Sequence, residues 1–121
     1  MSSNTSNNIY PVTLFESIYP ETTGYTIGDF VLMVEDSQQC CESWDKTEPL
    51  IKITQNDRLL SWETKMQCEE SQGMEKSTLF FILHLASGND AVFTVWCLHN
   101  GYYSHRASLM CKNQLLEVHM L

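Results

Sequence analysis

Only 7 of the 121 residues are Lys or Arg, against 15 Asp or Glu, and the formal net charge is -8. No two basic residues are adjacent. A surface of this sign repels phosphate, which argues against direct binding to nucleic acid. No stretch reaches the roughly 18–20 apolar residues of a membrane-spanning helix. The longest apolar run, residues 79–85, is broken by His84. The opening MSSNTSNN has neither the basic start nor the apolar stretch of a secretory signal. The chain is therefore expected not to be secreted and to mature in a reducing compartment. Its cysteines are five, an odd number that does not complete a disulfide framework. Neither C-x-x-C nor a G-x-G-x-x-G phosphate loop occurs.

What is present is a single domain's worth of chain with 43% hydrophobic residues, enough for one apolar core. Residues 1–8 read as a flexible polar tail and residues 9–121 as one β-rich domain. Pro11 and Pro20 bracket a short possible helix over 12–18. FVLMVED (30–36) is rich in β-formers and predicts a strand. SQQCCESWDKTEP predicts a loop or a single helical turn, and LIKI (50–53) a short strand. From Leu59 to Cys68 apolar and polar residues alternate with period two, the pattern of a half-buried strand. EESQGMEK (69–76) then reads as a loop. TLFFILHLA (78–86) and AVFTVWCLH (91–99) are strands with apolar residues on both faces. SGND (87–90) is a turn, and Asn100-Gly101 is the strongest short hairpin signal in the chain. YYSHRASLM and QLLEVHML predict two closing strands. The fold class expected is mainly β, an antiparallel meander sheet with short N-terminal strands and at most one or two short helices.

A register follows from the loop lengths. A two-residue Asn-Gly loop sets Leu98 against Tyr103, Trp96 against His105 and Thr94 against Ala107. A four-residue SGND loop sets Leu85 against Val92, Leu83 against Thr94 and Phe81 against Trp96. One face then collects Leu60, Trp62, Met66, Leu79, Phe81, Leu83, Leu85, Val92, Trp96, Leu98, Tyr103 and Leu109. The other carries an apolar stripe of Phe80, Ile82, His84, Phe93, Val95 and Cys97 between polar rims. Such a stripe needs a cover. The N-terminal segments as a second layer, or a second copy of the chain, both meet that need. In the second case those six residues form a homodimer interface.

Two stretches carry a resemblance. QCCES (39–43) and HNGYYSHRASL (99–109) resemble a family of small uncharacterised proteins of phages, bacteria and large DNA viruses. The matching residues are Cys40, Cys41, Glu42 and Ser43, then Asn100, Gly101, Tyr102, Tyr103 and Ser104. His105 departs from the acidic residue that family members often carry there. The resemblance implies a small β-rich fold, a viral origin, and a place in the host cytoplasm or the virion.

Chemistry built on the cysteine pair fails on spacing. A disulfide between neighbours is strained. A metal site would have to add distant ligands such as Cys97 and His99, without the paired spacing of zinc sites. Cys41, His99 or His105, and Glu42 supply the residue types for nucleophilic catalysis but no defined geometry. The expectation is therefore no catalytic residue, no metal and no cofactor. Cys40 and Cys41 pack a loop that presents Glu42 to the hairpin. A contact set of Cys40, Cys41, Glu42, Asn100, Tyr102, Tyr103 and Ser104 follows. The function expected is that of a non-enzymatic viral protein, virion-associated or host-interacting. It works through protein–protein contacts, with itself as a homodimer or with a basic host or viral protein. The alternative is a small-molecule- or metal-binding protein, even an enzyme, with a site between the Cys-Cys-Glu loop and the hairpin.

Overall fold

A computed structural model describes residues 8–17, 22–35, 43–47, 53–99 and 106–121. These residues form nine strands and no helix. In chain order they are β1 (Val12–Ser17), β2 (Thr22–Ile27), β3 (Phe30–Glu35), β4 (Ser43–Thr47), β5 (Leu59–Ser71), β6 (Met74–Leu85), β7 (Asp90–His99), β8 (Arg106–Cys111) and β9 (Gln114–Met120). All pairings are antiparallel. One sheet has five strands in the order β1-β2-β3-β8-β9, and the other has four in the order β4-β7-β6-β5. The mainly β, antiparallel expectation holds. Some local expectations do not: residues 12–17 are strand rather than helix, and the polar segment 43–47 is also a strand.

The two sheets pack face to face. Tyr25, Ile27, Phe30, Leu32, Val34, Ala107 and Leu109 come from the five-stranded sheet, and Leu79, Phe81, Leu83, Leu85, Ala91, Phe93, Val95 and Cys97 from the four-stranded one. Aromatic rings cross the gap. The ring centroids of Tyr25 and Phe93 are 5.1 Å apart, and those of Phe30 and Phe81 5.4 Å. Trp62 closes the same cluster against Phe30 and Phe81. Edge-to-face contacts of this kind add to the area they bury.

Turn chemistry explains the local connections. The β5–β6 turn is Gln72-Gly73, both with positive φ (54 and 79), and the β8–β9 turn is Lys112-Asn113, again both positive (51 and 66). Two consecutive left-handed residues match the twist of paired strands. Residues 69–76, expected as a loop, are thus mostly strand around a two-residue turn. The β6–β7 connection is shorter than SGND suggests. Leu85 N–H donates to the Asn89 carbonyl at 3.0 Å, Gly88 N–H donates to the Leu85 carbonyl at 3.0 Å, and Gly88 has φ 93. The loop is therefore Ala86-Ser87-Gly88, with glycine in the left-handed place that a three-residue hairpin requires.

That loop length decides which face of β7 is buried. Leu83 pairs with Ala91, Phe81 with Phe93 and Leu79 with Val95. The expected pairs, Leu83 with Thr94 and Phe81 with Trp96, are displaced by three residues. An odd displacement turns every side chain of a strand to the opposite face. Ala91, Phe93, Val95 and Cys97 therefore enter the core, and Val92, Thr94, Trp96 and Leu98 face outward. A β-bulge between Leu59 and Ser61 acts only at the start of β5: Leu59 is buried and Leu60 exposed, while Trp62 keeps its expected place against the core.

The expected pairing of β7 with β8 is also overturned. β7 lies between β4 and β6, whereas β8 lies between β3 and β9 in the other sheet. Thr94 pairs with Phe80 and Thr47, and Ala107 pairs with Val34 and His119. The second layer is thus built by the first three strands together with the last two. Asn8, expected in the tail, is tied to the β2–β3 turn: its N–H donates to Asp29 Oδ2 at 2.8 Å, and Asp29 N–H donates to its carbonyl at 2.7 Å.

Candidate functional site

The core takes three of the six residues expected at a dimer interface. Phe93, Val95 and Cys97 are 0%, 1% and 0% exposed within one chain, which corrects that assignment. Phe80, Ile82 and His84 do lie on the outer face of the four-stranded sheet and are half-buried. They are joined there by Val92, Trp96 and Leu98, which the wrong β7 register had placed in the core. No alternation could have revealed this, because β7 is apolar at both sets of positions. The signal that was available is Gly88, a residue suited to the left-handed place of a three-residue loop.

This outer face is an apolar strip crossing β6 and β7 with charged groups around it. Lys76 Nζ lies 4.8 Å from the centroid of the Trp96 ring, a cation–π contact that fixes the indole on the surface. At the opposite end His84 is clamped between two carboxylates. Its Nε2 is 2.8 Å from Glu63 Oε2 and its Nδ1 is 2.8 Å from Asp90 Oδ1. Ionised carboxylates only accept hydrogen bonds, so with both carboxylates ionised this geometry favours the doubly protonated ring. The hydrogen bonds from Glu63 and then Asp90, against a smaller desolvation effect, raise the His84 pKa above its ordinary 6.5. The hydrogen bond from His84 in turn lowers Glu63 below 4.5, against the opposing effect of desolvation. His84 is thus a satisfied histidine at the edge of the strip.

The two shifts have opposite linkage signs. The raised His84 contributes stability that is complete below pH 6.5 and is lost as pH rises through its folded-state value. The lowered Glu63 contributes stability that is present above pH 4.5 and is lost as pH falls through its folded-state value. The clamp is therefore strongest between these limits. Thermal unfolding of His84→Gln beside the native chain is expected to show its largest Tm difference from pH 4.5 to 6.5, narrowing on both sides. A difference that is constant with pH, or that grows above neutrality, contradicts the clamp.

A second polar cluster joins the sheets at one side. Thr64 Oγ1 donates to Glu117 Oε1 at 2.5 Å, and His119 Nε2 lies 2.8 Å from the same oxygen. Desolvation alone would raise the Glu117 pKa, but the bonds from Thr64 and His119, with the His119 charge, hold it below 4.5. Burial, and then the charge of Asp29, raises the Cys111 thiol above 9.0, which removes thiolate character at neutral pH. Cys68 is exposed, with its sulfur 3.7 Å from Ser77 Oγ. Among the described residues no group of three His, Cys, Asp or Glu side chains is arranged to hold a metal ion. No helix among them is long and apolar enough to cross a membrane.

The expected contact set, Cys40, Cys41, Glu42, Asn100, Tyr102, Tyr103 and Ser104, lies outside the described residues, as does His105. Their neighbours in sequence are informative. Ser43 pairs with Leu98, so the chain enters β4 and leaves β7 at the same end of the four-stranded sheet.

Fold and surface define a class: an all-β protein of two packed antiparallel sheets, with an apolar strip across one outer face. No family model matches the chain, and neither a curated protein nor a solved structure shows significant similarity to it.

Proposed function

We propose that this chain is a non-enzymatic binding protein that works through protein–protein contacts on the outer face of its four-stranded sheet. The observation that carries the reading is the strip of Phe80, Ile82, Val92, Trp96 and Leu98, half-buried on one face, interrupted by Thr78 and Thr94, with no layer of described residues over it. A flat apolar centre with a charged margin is the composition of a recognition surface. The charge of -8 supports a basic partner, either a host or a viral protein. The viral setting is part of the proposal and rests on the Cys-Cys-Glu-Ser and Asn-Gly-Tyr-Tyr-Ser motifs.

The pairing of Ser43 with Leu98 sets the start of β4 and the end of β7 at one end of the sheet, which favours a second reading, a ligand or metal site that uses both motifs. One set of purified samples separates the two. Chemical cross-linking in the source cells is expected to recover a discrete partner with the native chain and to lose it with Ile82→Lys, while far-UV circular dichroism stays unchanged. Ile82 is half-buried on the outer face, so a lysine there reaches solvent without entering the core. Equal recovery by the variant sinks the first reading. Stoichiometric zinc or iron in the native protein supports the second, and its absence removes the metal form of it.

A further inference from the structure

We propose that β9 is a self-association edge. A second copy of the chain adds antiparallel to it about a two-fold axis through Val118, which continues the five-stranded sheet across the pair. It goes beyond the reading above: the surface is on the other sheet, and the partner is a second copy of the chain. It also moves the dimer contact expected from the sequence away from Phe80, Ile82 and His84.

β9 ends its sheet, with no described strand beyond it, so one row of its N–H and C=O groups is left for an incoming strand. Its patterning is the reverse of an ordinary half-buried strand. Leu109 and Ala107 face the core from β8, and opposite them on β9 stand Glu117 and His119. The more buried positions of β9 are thus polar, while Leu115, Leu116, Val118 and Met120 are exposed. Those four are half of the eight large hydrophobic residues exposed in the described structure, concentrated in one strand of seven residues. Solvation of the monomer does not explain that placement; a partner strand does.

The sequence of the strand says which partner. Centred on Val118, an antiparallel copy sets Val118 against Val118, Glu117 against His119, and Leu116 against Met120. A carboxylate meets an imidazole twice, once on each side of the axis, and apolar residues meet apolar residues. A two-fold contact requires this self-complementarity. A β-bulge between the partners of Leu109 and Met110 leaves Leu116 as the extra residue, and the strand is regular from Glu117 onward. Inward-facing charge ordinarily guards an edge against pairing. Here Glu117 is already held by Thr64 and His119, so the guard is neutralised within each copy. One added strand pair buries little area, at the low end of interface sizes.

Light scattering behind size exclusion tests this. The native chain is expected to be a dimer at tens of micromolar. Val118→Lys, which sets like charges on the axis, is expected to run as a monomer with an unchanged circular dichroism spectrum. Phe80→Ser, on the other sheet, is expected to remain a dimer, so failure here is distinguishable from failure of the outer-face reading. As an independent readout, Val118→Cys in a Cys68→Ser background is expected to form a disulfide-linked dimer on oxidation. A same-residue pair across antiparallel strands places its Cα atoms about 4.5–5.5 Å apart, within disulfide reach. A monomeric native chain, a dimeric Val118→Lys, a monomeric Phe80→Ser, or no cross-link through residue 118 overturns the proposal.

Discussion

Phe81→Ala is expected to lower the free energy of unfolding by about 3–5 kcal/mol, the range for truncating a buried aromatic to alanine. Phe81 lies in the middle of β6, is fully buried, and touches three other rings. Its centroid is 5.4 Å from Phe30, 5.9 Å from Trp62 and 6.4 Å from Phe93. These neighbours come from both sheets and from three strands besides its own. Removing the ring leaves a void whose walls are held by two hydrogen-bonded ladders, so they cannot close over it. A loss near the upper end of the range follows from that rigidity. Phe80, its neighbour in sequence, faces outward and half-buried, and Phe80→Ala is the internal comparison. Urea unfolding of the two variants measures the contrast. Equal losses would mean that the β6 faces are misassigned.

Gly24→Ala is expected to be at least as damaging, for a different reason. A Cβ built on Gly24 falls 1.9 Å from the Leu32 carbonyl oxygen and 2.9 Å from its carbon. The obstacle is backbone in the paired strand β3 and cannot rotate away. Inserting a methyl group into a well-packed region costs about 1–3 kcal/mol even where side chains can yield. Here a strand pair must separate instead. Thr22, Thr23, Gly24 and Tyr25 are all buried, so β2 has no open side to bulge toward. The expected result is loss of cooperative unfolding or recovery of the variant only in inclusion bodies. A folded Gly24→Ala within 1 kcal/mol, roughly, of the native chain would show that β2 and β3 do not approach as described.

Strand content was readable in advance because side-chain alternation is local. Leu59 to Cys68 announced β5 by its period of two, and 30–36 announced β3 by its β-branched and aliphatic content. The turns at 72–73 and 112–113, where φ is positive, were not marked: residues 69–76 were expected as a loop, and 111–113 carried no assignment. β1 was hidden because flanking prolines bound a helix and a strand equally well. β4 was hidden because Ser43–Thr47 has no alternating apolar pattern to announce it. The outer face was half legible. Phe80, Ile82 and His84 were found, but Val92, Trp96 and Leu98 were lost to a loop counted as four residues instead of three. With both faces of β7 apolar, nothing in its own composition corrects the count. Asp90 was missed as a partner of His84 for the same reason, since it fell inside the loop as counted.

The amino-acid sequence by itself determined that this is a small, acidic, mainly β chain with one core, and it marked most of its strands. Those properties come from composition and from the two-residue repeat, which are local. The sequence set β5, β6 and β7 side by side, but the partners of β8 and the register of β7 were decided by the tertiary structure. Backbone hydrogen bonds are the same for every residue, so β8 carries no label directing it to β3 rather than β7. The choice falls to the packing of Phe30, Phe81, Phe93 and Tyr25 between two sheets, and those residues lie far apart in the chain. The same packing turns Glu117 and His119 inward and leaves Val118 and Met120 on an open edge, a consequence of position in the sheet that alternation alone cannot express.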